Sequence, residues 1–480
     1  MLKHSGAQHL HINPPDAFFP SLVGILTFLL LAVNPPLLVD DFYHLSVSRQ
    51  IYFFGFIPTW DFWEFAPLGR PHLYPPLLHL IMALLMRASG GDVFLAARIV
   101  KTFTYPLLLL LFWLSVRGLA GRKAAFYSSL TLASASPLLF LSVMTMPATI
   151  VLALTPPLIT SFIKKKTLPS LLLLSVALWL HFSMPVTAVA TLLALSLVRR
   201  EEYLKFFVKI ASAALLTYLP WLIHIANHAE WISTVQAGGT PFIPFIAWAL
   251  ALPSIMSTLK YKDNACLAYL FYAISLLVFI SYMTRLCLYL LIPLSFFAGI
   301  TLSKIKWSKR RLKAALMVML TLSFLVATPA VGGTPQTMDP FQPFQPPPLE
   351  LAFIKSNTFL SFSSLLTLVL WPPHLKGQLM PTMFPIYVSS IWVAFNAPQP
   401  VCYIGLDSSH AVAVTALTGL PTSSGMWREV VSLWTLAASW WFALNQAVVY
   451  IVEAPFTAPP QDVPCRLVLD LGTVKVFVRT

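Results

Sequence analysis

The chain has 480 residues, of which 58% are hydrophobic and 10% charged, where soluble proteins carry about 25% charged residues. With a mean hydropathy of +0.77 it lacks the polar surface of a water-soluble particle, and it is too apolar for disorder. A net charge of +14 suggests nucleic acid in a soluble protein, but in a multi-spanning membrane protein it records which loops face the cytoplasm.

Apolar runs of spanning or near-spanning length lie near residues 18–39, 103–118, 124–142, 146–163, 168–182, 184–198, 204–223, 243–259, 264–282, 286–303 and 314–331. They predict a polytopic α-helical membrane protein of about eleven transmembrane helices. The first run has no small-residue cleavage site after it, so it reads as a span and not as a cleaved signal. With the N-terminus in the cytoplasm, alternation places most of the 31 Lys and Arg on the cytoplasmic side. These are Lys3, Arg117, Arg122, Lys123, Lys164 to Lys166, Arg199, Arg200, Lys205, Lys209, Lys260, Lys262 and the cluster from Lys304 to Lys313. Basic inside loops support the span count and the orientation together, and no nucleic-acid partner is expected.

The division that follows is a transmembrane domain over 1–331, including a long first external loop (40–102), then a Pro-rich linker (332–348) and a small extracytosolic α/β domain (349–480). In that last domain VCYIGLD (401–407) reads as a buried strand, SLWTLAASWWFALN (432–445) as a helix, and QAVVYIVE (446–453) as a strand. A terminal hairpin turns at Gly472 and Thr473. The run 430–452 is also apolar enough to read as a twelfth span. Cys266 and Cys287 sit in apolar runs as packing residues, while an extracytosolic setting allows a disulfide between Cys402 and Cys465.

The external acid is concentrated in the first loop, at Asp40, Asp41, Asp61 and Glu64. Carboxylates at a hydrocarbon boundary need water, a cation or a cavity. They read either as solvated helix caps or as a general base or cation ligand. His44 is one helical turn after Asp40, on the same face if the segment is helical. A dense aromatic and proline stretch follows, from Tyr52 to Pro76. It anchors the loop at the membrane interface or lines a groove for a lipid-linked substrate.

Residues 40–76, DDFYHLSVSRQIYFFGFIPTWDFWEFAPLGRPHLYPP, resemble the first external loop of the catalytic subunit of oligosaccharyltransferase. The likeness lies in Asp40 with FYHL, Pro58 to Asp61, Pro67 to Pro71, and Tyr74 to Pro76. The wider class is the C-type (GT-C) membrane glycosyltransferases, which use polyprenyl-phosphate or -diphosphate sugar donors. The resemblance implies a catalytic Asp at Asp40, supported electrostatically by Asp41 and His44. TRLCLYLLIPLSFFAGI (284–300) is similar to a late span whose Arg binds the donor phosphate. That implies a phosphate-binding Arg285, joined from the loop by Arg70, His72 and Tyr74. TALTGLPTSSGMW (415–427) is loosely similar to a loop in the external domains of these enzymes.

The chain also departs from the family. Trp440 and Trp441 are followed by Phe, Ala and Leu, so the Trp-Trp-Asp-x-Gly motif is missing. The second external loop, SVMTMPAT (142–149), carries no carboxylate. Asp40, Glu230 and His181 are the remaining candidates for metal or acceptor binding, and a divalent cation, Mn or Mg, stays open. The expectation is a glycosyltransferase that moves a sugar from a polyprenyl-phosphate-linked donor to an acceptor (protein, lipid or glycan) on the outer face of the cell membrane. The alternatives are a non-catalytic relative that binds a lipid-linked sugar or scaffolds a glycosylation complex, and a transporter or flippase.

Overall fold

Leu-, Ala- and Phe-rich segments fold into helices along the apolar runs. The computed structural model describes residues 18–33, 39–133, 145–232, 245–261, 263–280, 289–305, 383–396, 401–405, 410–424, 447–454, 456–461 and 463–480, with a few isolated positions besides. The helices of the first part are α1 (Phe18–Val33), α2 (Val39–Phe54), α3 (Leu77–Ala88), α4 (Val93–Ala133), α5 (Pro147–Ile163), α6 (Thr167–Leu180), α7 (Met184–Arg199), α8 (Glu201–Ala226), α9 (Phe245–Tyr261), α10 (Asn264–Ile280) and α11 (Leu291–Lys304). Two of them, α4 and α8, are long and apolar enough to cross a membrane, and seven shorter apolar helices accompany them among the described residues.

Helix α4 joins two expected spans in one 41-residue run, broken at Gly121 by a non-helical backbone (φ 84°, ψ 173°). Glycine adopts that conformation without a Cβ penalty. Helix α4 packs against α1, α5 and α11, while α10 packs against α7, and α8 against α6 and α7. The α4–α11 crossing is closest at Gly299, where a Cβ would lie 1.9 Å from Ser128 Oγ and 2.4 Å from Ser128 N. On the other flank of α11, Phe296 stacks on Tyr269 at 3.9 Å between centroids. The expected span 314–331 lies outside the described residues except at its end. There β3 (Thr328–Pro329) pairs with β4 (Ser356–Asn357).

The C-terminal part is a small α/β unit. Helices α12 (Met383–Asn396) and α13 (His410–Thr418) accompany a sheet of β5 (Val401–Ile404), β6 (Val449–Glu453), β7 (Cys465–Asp470) and β8 (Val474–Arg479) in the order β5-β6-β8-β7. Strands β5 and β6 run parallel, and the remaining pairs are antiparallel. The terminal hairpin turns at Gly472, with φ +80°, as the sequence predicts. Residues 449–453 form a fully buried strand, so the end of 430–452 is not a twelfth helical span. Trp440 and most of the expected helix at 432–445 lie outside the described residues.

The expected disulfide does not form. Cys402 and Cys465 are both free, because they sit on β5 and β7, the outer strands of the sheet, with β6 and β8 between them.

Candidate active site

The segment 40–102 is built as a helix, a clip and a helix. Helix α2 buries Phe42, Tyr43, His44, Leu45 and Val47. A two-residue clip follows, with β1 (Trp60–Asp61) antiparallel to β2 (Arg70–Pro71). The clip closes at Gly69, where φ is +69° and a Cβ would fall 2.3 Å from the Asp61 carbonyl oxygen. Only glycine fits both conditions. Trp60 Nε1 donates to the Leu68 carbonyl at 2.7 Å, and His72 N donates to the Thr59 carbonyl at 2.9 Å. Pro76 then stands at the start of α3, a place where its missing N–H costs nothing.

Inside this frame the acids have separate partners. Asp41 is fully buried. Its Oδ2 lies 2.5 Å from Lys101 Nζ, and its Oδ1 accepts from Thr145 N at 2.5 Å. The segment 142–149, which carries no carboxylate, thus gives Asp41 a backbone N–H. Glu64 takes Arg70 Nε at 3.2 Å and Nη2 at 3.4 Å, and the Arg70 guanidinium also lies over the Tyr43 ring at 5.5 Å. Burial alone pulls Arg70 down, but Glu64, Tyr43 and Asp61 around it leave it above its ordinary value. Asp61 accepts from Gln50 Nε2 and Trp63 N, each at 2.9 Å, while its Oδ2 is buried with no partner among the described residues. Burial pushes its pKa up, against Arg70 and those hydrogen bonds.

Beside the acids lies a cluster of histidines and aromatics. His44 Nδ1 is 2.9 Å from His79 Nε2, and His72 Nδ1 is 3.2 Å from Tyr43 Oη. The His72 and His79 rings meet at 5.1 Å, and Tyr74 packs edge-on to His44 at 5.3 Å and to His181 at 5.6 Å. Burial lowers the pKa of His44 to about 4, against the pull of Asp41. Burial also carries His72 and His79 well below the usual histidine value. Helix α8 reaches the cluster through Trp221, which meets the His72 ring edge-on at 5.9 Å, and His224, whose Nε2 is 3.0 Å from the His72 carbonyl.

The C-terminal unit docks on the other side of the same loop. Thr422 N donates to the Trp63 carbonyl at 2.8 Å, and Ala66 N donates to the Thr422 carbonyl at 2.9 Å. Arg49 Nη1 donates to the Ala416 carbonyl at 2.7 Å as α13 packs on α2. Ala416 and Thr422, within the segment 415–427, are among the residues of the C-terminal part that meet the loop.

Several expectations need correction. Asp40 lies on the first turn of α2, one turn before His44, but its side chain is outside the described residues, as is Arg285. Among the described residues the buried acid of that turn is Asp41. Its Lys101 partner escaped the sequence reading because it counted only as one more external charge. Arg70, expected at the donor phosphate, is paired with Glu64 in this structure. Burial lowers the pKa of His44, against the charged supporting role expected of it. His79, which the sequence reading did not single out, is its hydrogen-bond partner.

The described candidates for a divalent cation have other partners, and the Asp40 side chain lies outside the described residues. No group of three His, Cys, Asp or Glu among them is arranged to hold one. Asp41 is committed to Lys101 and Thr145, and Glu64 to Arg70. His181 Nδ1 accepts from Ser183 N and Met184 N, each at 3.2 Å, at the start of α7. Glu230 is exposed on a short turn whose Trp231 packs against Trp60.

No protein-family profile and no curated protein sequence matches the chain. Solved structures do. ArnT from Cupriavidus metallidurans bound to undecaprenyl phosphate aligns with TM-score 0.66 and 14% identity, over 97% of this chain and 98% of that one. Its apo form aligns at 0.68, again with 14% identity, over 97% of both chains. The archaeal oligosaccharyltransferase AglB from Archaeoglobus fulgidus, in complex with an inhibitory peptide and a dolichol-phosphate, aligns at 0.56 with 10% identity. That match covers 91% of this chain and 69% of that one. From its first described helix to its terminal hairpin, the chain has the fold of the C-type (GT-C) membrane glycosyltransferases.

Proposed function

We propose that the protein is a multi-pass membrane glycosyltransferase that moves a sugar from a polyprenyl-phosphate-linked donor to an acceptor on the outer face of the membrane. The observation that carries this reading is the end-to-end fold match to a structure bound to undecaprenyl phosphate. The resemblance of residues 40–76 to an oligosaccharyltransferase loop supports it independently.

In this reading Asp40 is the general base. It takes the proton of the acceptor O–H or N–H as that atom attacks the anomeric carbon. The bond from the anomeric carbon to the phosphate oxygen breaks, and the polyprenyl phosphate leaves with the electron pair. Arg285 neutralises that phosphate, for which a guanidinium suits both charge and geometry. Asp41 and Lys101 hold the turn of α2 that carries Asp40. The C-terminal part, from residue 332 onward, stands outside with the first loop, to which Thr422 ties it.

The test is reconstitution of the purified protein with a panel of polyprenyl-phospho- and diphospho-sugars and peptide, lipid and glycan acceptors, with and without manganese. Transfer from one donor establishes the reading. Donor binding without transfer by any combination would instead favour a non-catalytic relative, a reading supported by the absence of an acid in the second external loop. The side of the membrane is tested separately in sealed right-side-out vesicles. There residues 332–480 are digested by protease added outside, and digestion only from the cytoplasmic side contradicts the orientation.

A further inference from the structure

His44 and His79 share one hydrogen bond, between His44 Nδ1 and His79 Nε2 at 2.9 Å. One proton lies between those two nitrogens, and its owner follows from the remaining nitrogen of His79. His79 is fully buried, and its Nδ1 has no partner among the described residues. A bare ring nitrogen tolerates that position better than an N–H, because an orphaned buried donor is among the rarest features of folded proteins.

The possible protonation states then separate cleanly. If His44 donates, neutral His79 must carry its proton on Nδ1. If His44 is charged, the same holds. If His79 is charged, both of its nitrogens carry protons. Each of these states puts an N–H at the unpartnered position. Only one state avoids it, in which His79 donates from Nε2, His44 accepts at Nδ1, and the proton of His44 sits on Nε2.

We propose that His79 is a positioning residue that fixes His44 as a neutral imidazole with its proton on Nε2, so that the turn of α2 bearing Asp40 and Asp41 offers an uncharged hydrogen-bond donor to an anionic oxygen. The surroundings agree. His72 repeats the pattern, with Nδ1 beside Tyr43 Oη and Nε2 buried without a partner among the described residues. The groups around the pair are Asp41 and Tyr43 on α2, Arg70 and His72 at β2, Tyr74 beyond it, and Lys101 on α4 against Asp41. The basic charges nearby are already matched, Arg70 by Glu64 and Lys101 by Asp41. A second cation at His44 would stand in a buried site where Asp41 is already paired with Lys101 and Glu64 with Arg70. A neutral N–H keeps its donor geometry across the physiological range and adds no charge that a departing phosphate must leave behind.

The role in the reaction rests on the transferase reading, while the tautomer itself does not. The tautomer is read by two-bond proton–nitrogen correlation spectra of the full chain labelled with [15N]histidine, in wild type, His79→Gln and His79→Leu. Wild-type His44 shows a bare Nδ1 and a protonated Nε2, unchanged between about pH 8 and pH 5. Gln places an amide N–H near the lost Nε2 and preserves that pattern, whereas Leu abolishes it. A protonated Nδ1 on wild-type His44, or titration to a cation in that range, overturns the proposal. The wild-type spectrum decides this even if the Leu variant does not fold.

In transfer assays His79→Leu lowers kcat about tenfold or more with little change in donor KM, and Gln restores most of the loss. Equal kcat for Leu and wild type overturns the positioning role. The expected tautomer in a wild type that transfers nothing would leave the tautomer standing and defeat the transferase reading alone.

Discussion

Lys101 Nζ lies 2.5 Å from Asp41 Oδ2, with both side chains fully buried, and joins the first turn of α2 to the start of α4 across 60 residues of sequence. Removing the ammonium leaves a buried carboxylate to find other compensation. Lys101→Met therefore costs about 3–5 kcal/mol, while the double variant Asp41→Asn/Lys101→Met recovers much of the loss. Thermal unfolding in detergent checks this. A double variant no more stable than Lys101→Met contradicts the pairing.

The neutral histidines make the first loop sensitive to acid. The pKa of His44 in the folded protein, about 4, lies below the unfolded value near 6.5. The unfolded chain therefore binds more protons as pH falls between those values, so His44 withdraws stability progressively from about pH 6.5 down to about pH 4. His72 and His79 act in the same direction. Asp61 opposes them, since its raised pKa favours the folded state in acid. Hydrogen-exchange protection factors of residues 40–102, with the slower intrinsic exchange in acid divided out, should fall on acidification through that window, less so in His44→Asn. Protection factors that are flat with pH contradict the buried neutral cluster.

The α4–α11 crossing leaves no room at Gly299. A methyl there meets Ser128 backbone atoms at 2.4 and 2.5 Å, so the helices must separate. Gly299→Ala destabilises by about 1–3 kcal/mol, measured as a lower unfolding temperature in detergent. An unchanged temperature means the crossing is looser than described.

Two backbone hydrogen bonds through Thr422 hold the C-terminal part to the first loop. Thr422→Pro removes the donor to Trp63 and leaves a buried carbonyl without it, at about 1–3 kcal/mol. Limited proteolysis should then release a fragment containing β5 to β8 sooner than in wild type. Equal release shows that the docking rests on α13 and Arg49 instead.

The helices were legible because each needs only an uninterrupted apolar run, and the positions from α5 to α10 follow those runs closely. The shared face of Asp40 and His44 followed only on condition of a helix there, because α2 lies in none of those apolar runs. The terminal hairpin announced itself through alternation around Gly472. Pairings between distant segments left no such trace. Nothing local to Lys101 marks it as the partner of Asp41. His79 sits in an apolar helix, where a histidine reads as ordinary packing. The Thr422 bonds use main-chain atoms that carry no residue signature. Glu64 and Arg70 were the readable exception: opposite charges flanking a Gly-Pro clip could have been paired from spacing alone. Cys402 and Cys465 misled because compartment permits a disulfide but only strand order decides it.

The most direct measurement is single-turnover sugar transfer from a polyprenyl-phospho-sugar in wild type, Asp40→Asn and Lys101→Met. A general base at Asp40 predicts transfer by wild type, a loss of roughly 100-fold or more in Asp40→Asn with donor binding retained, and a smaller loss in Lys101→Met. Transfer by Asp40→Asn at the wild-type rate would contradict the account at its centre.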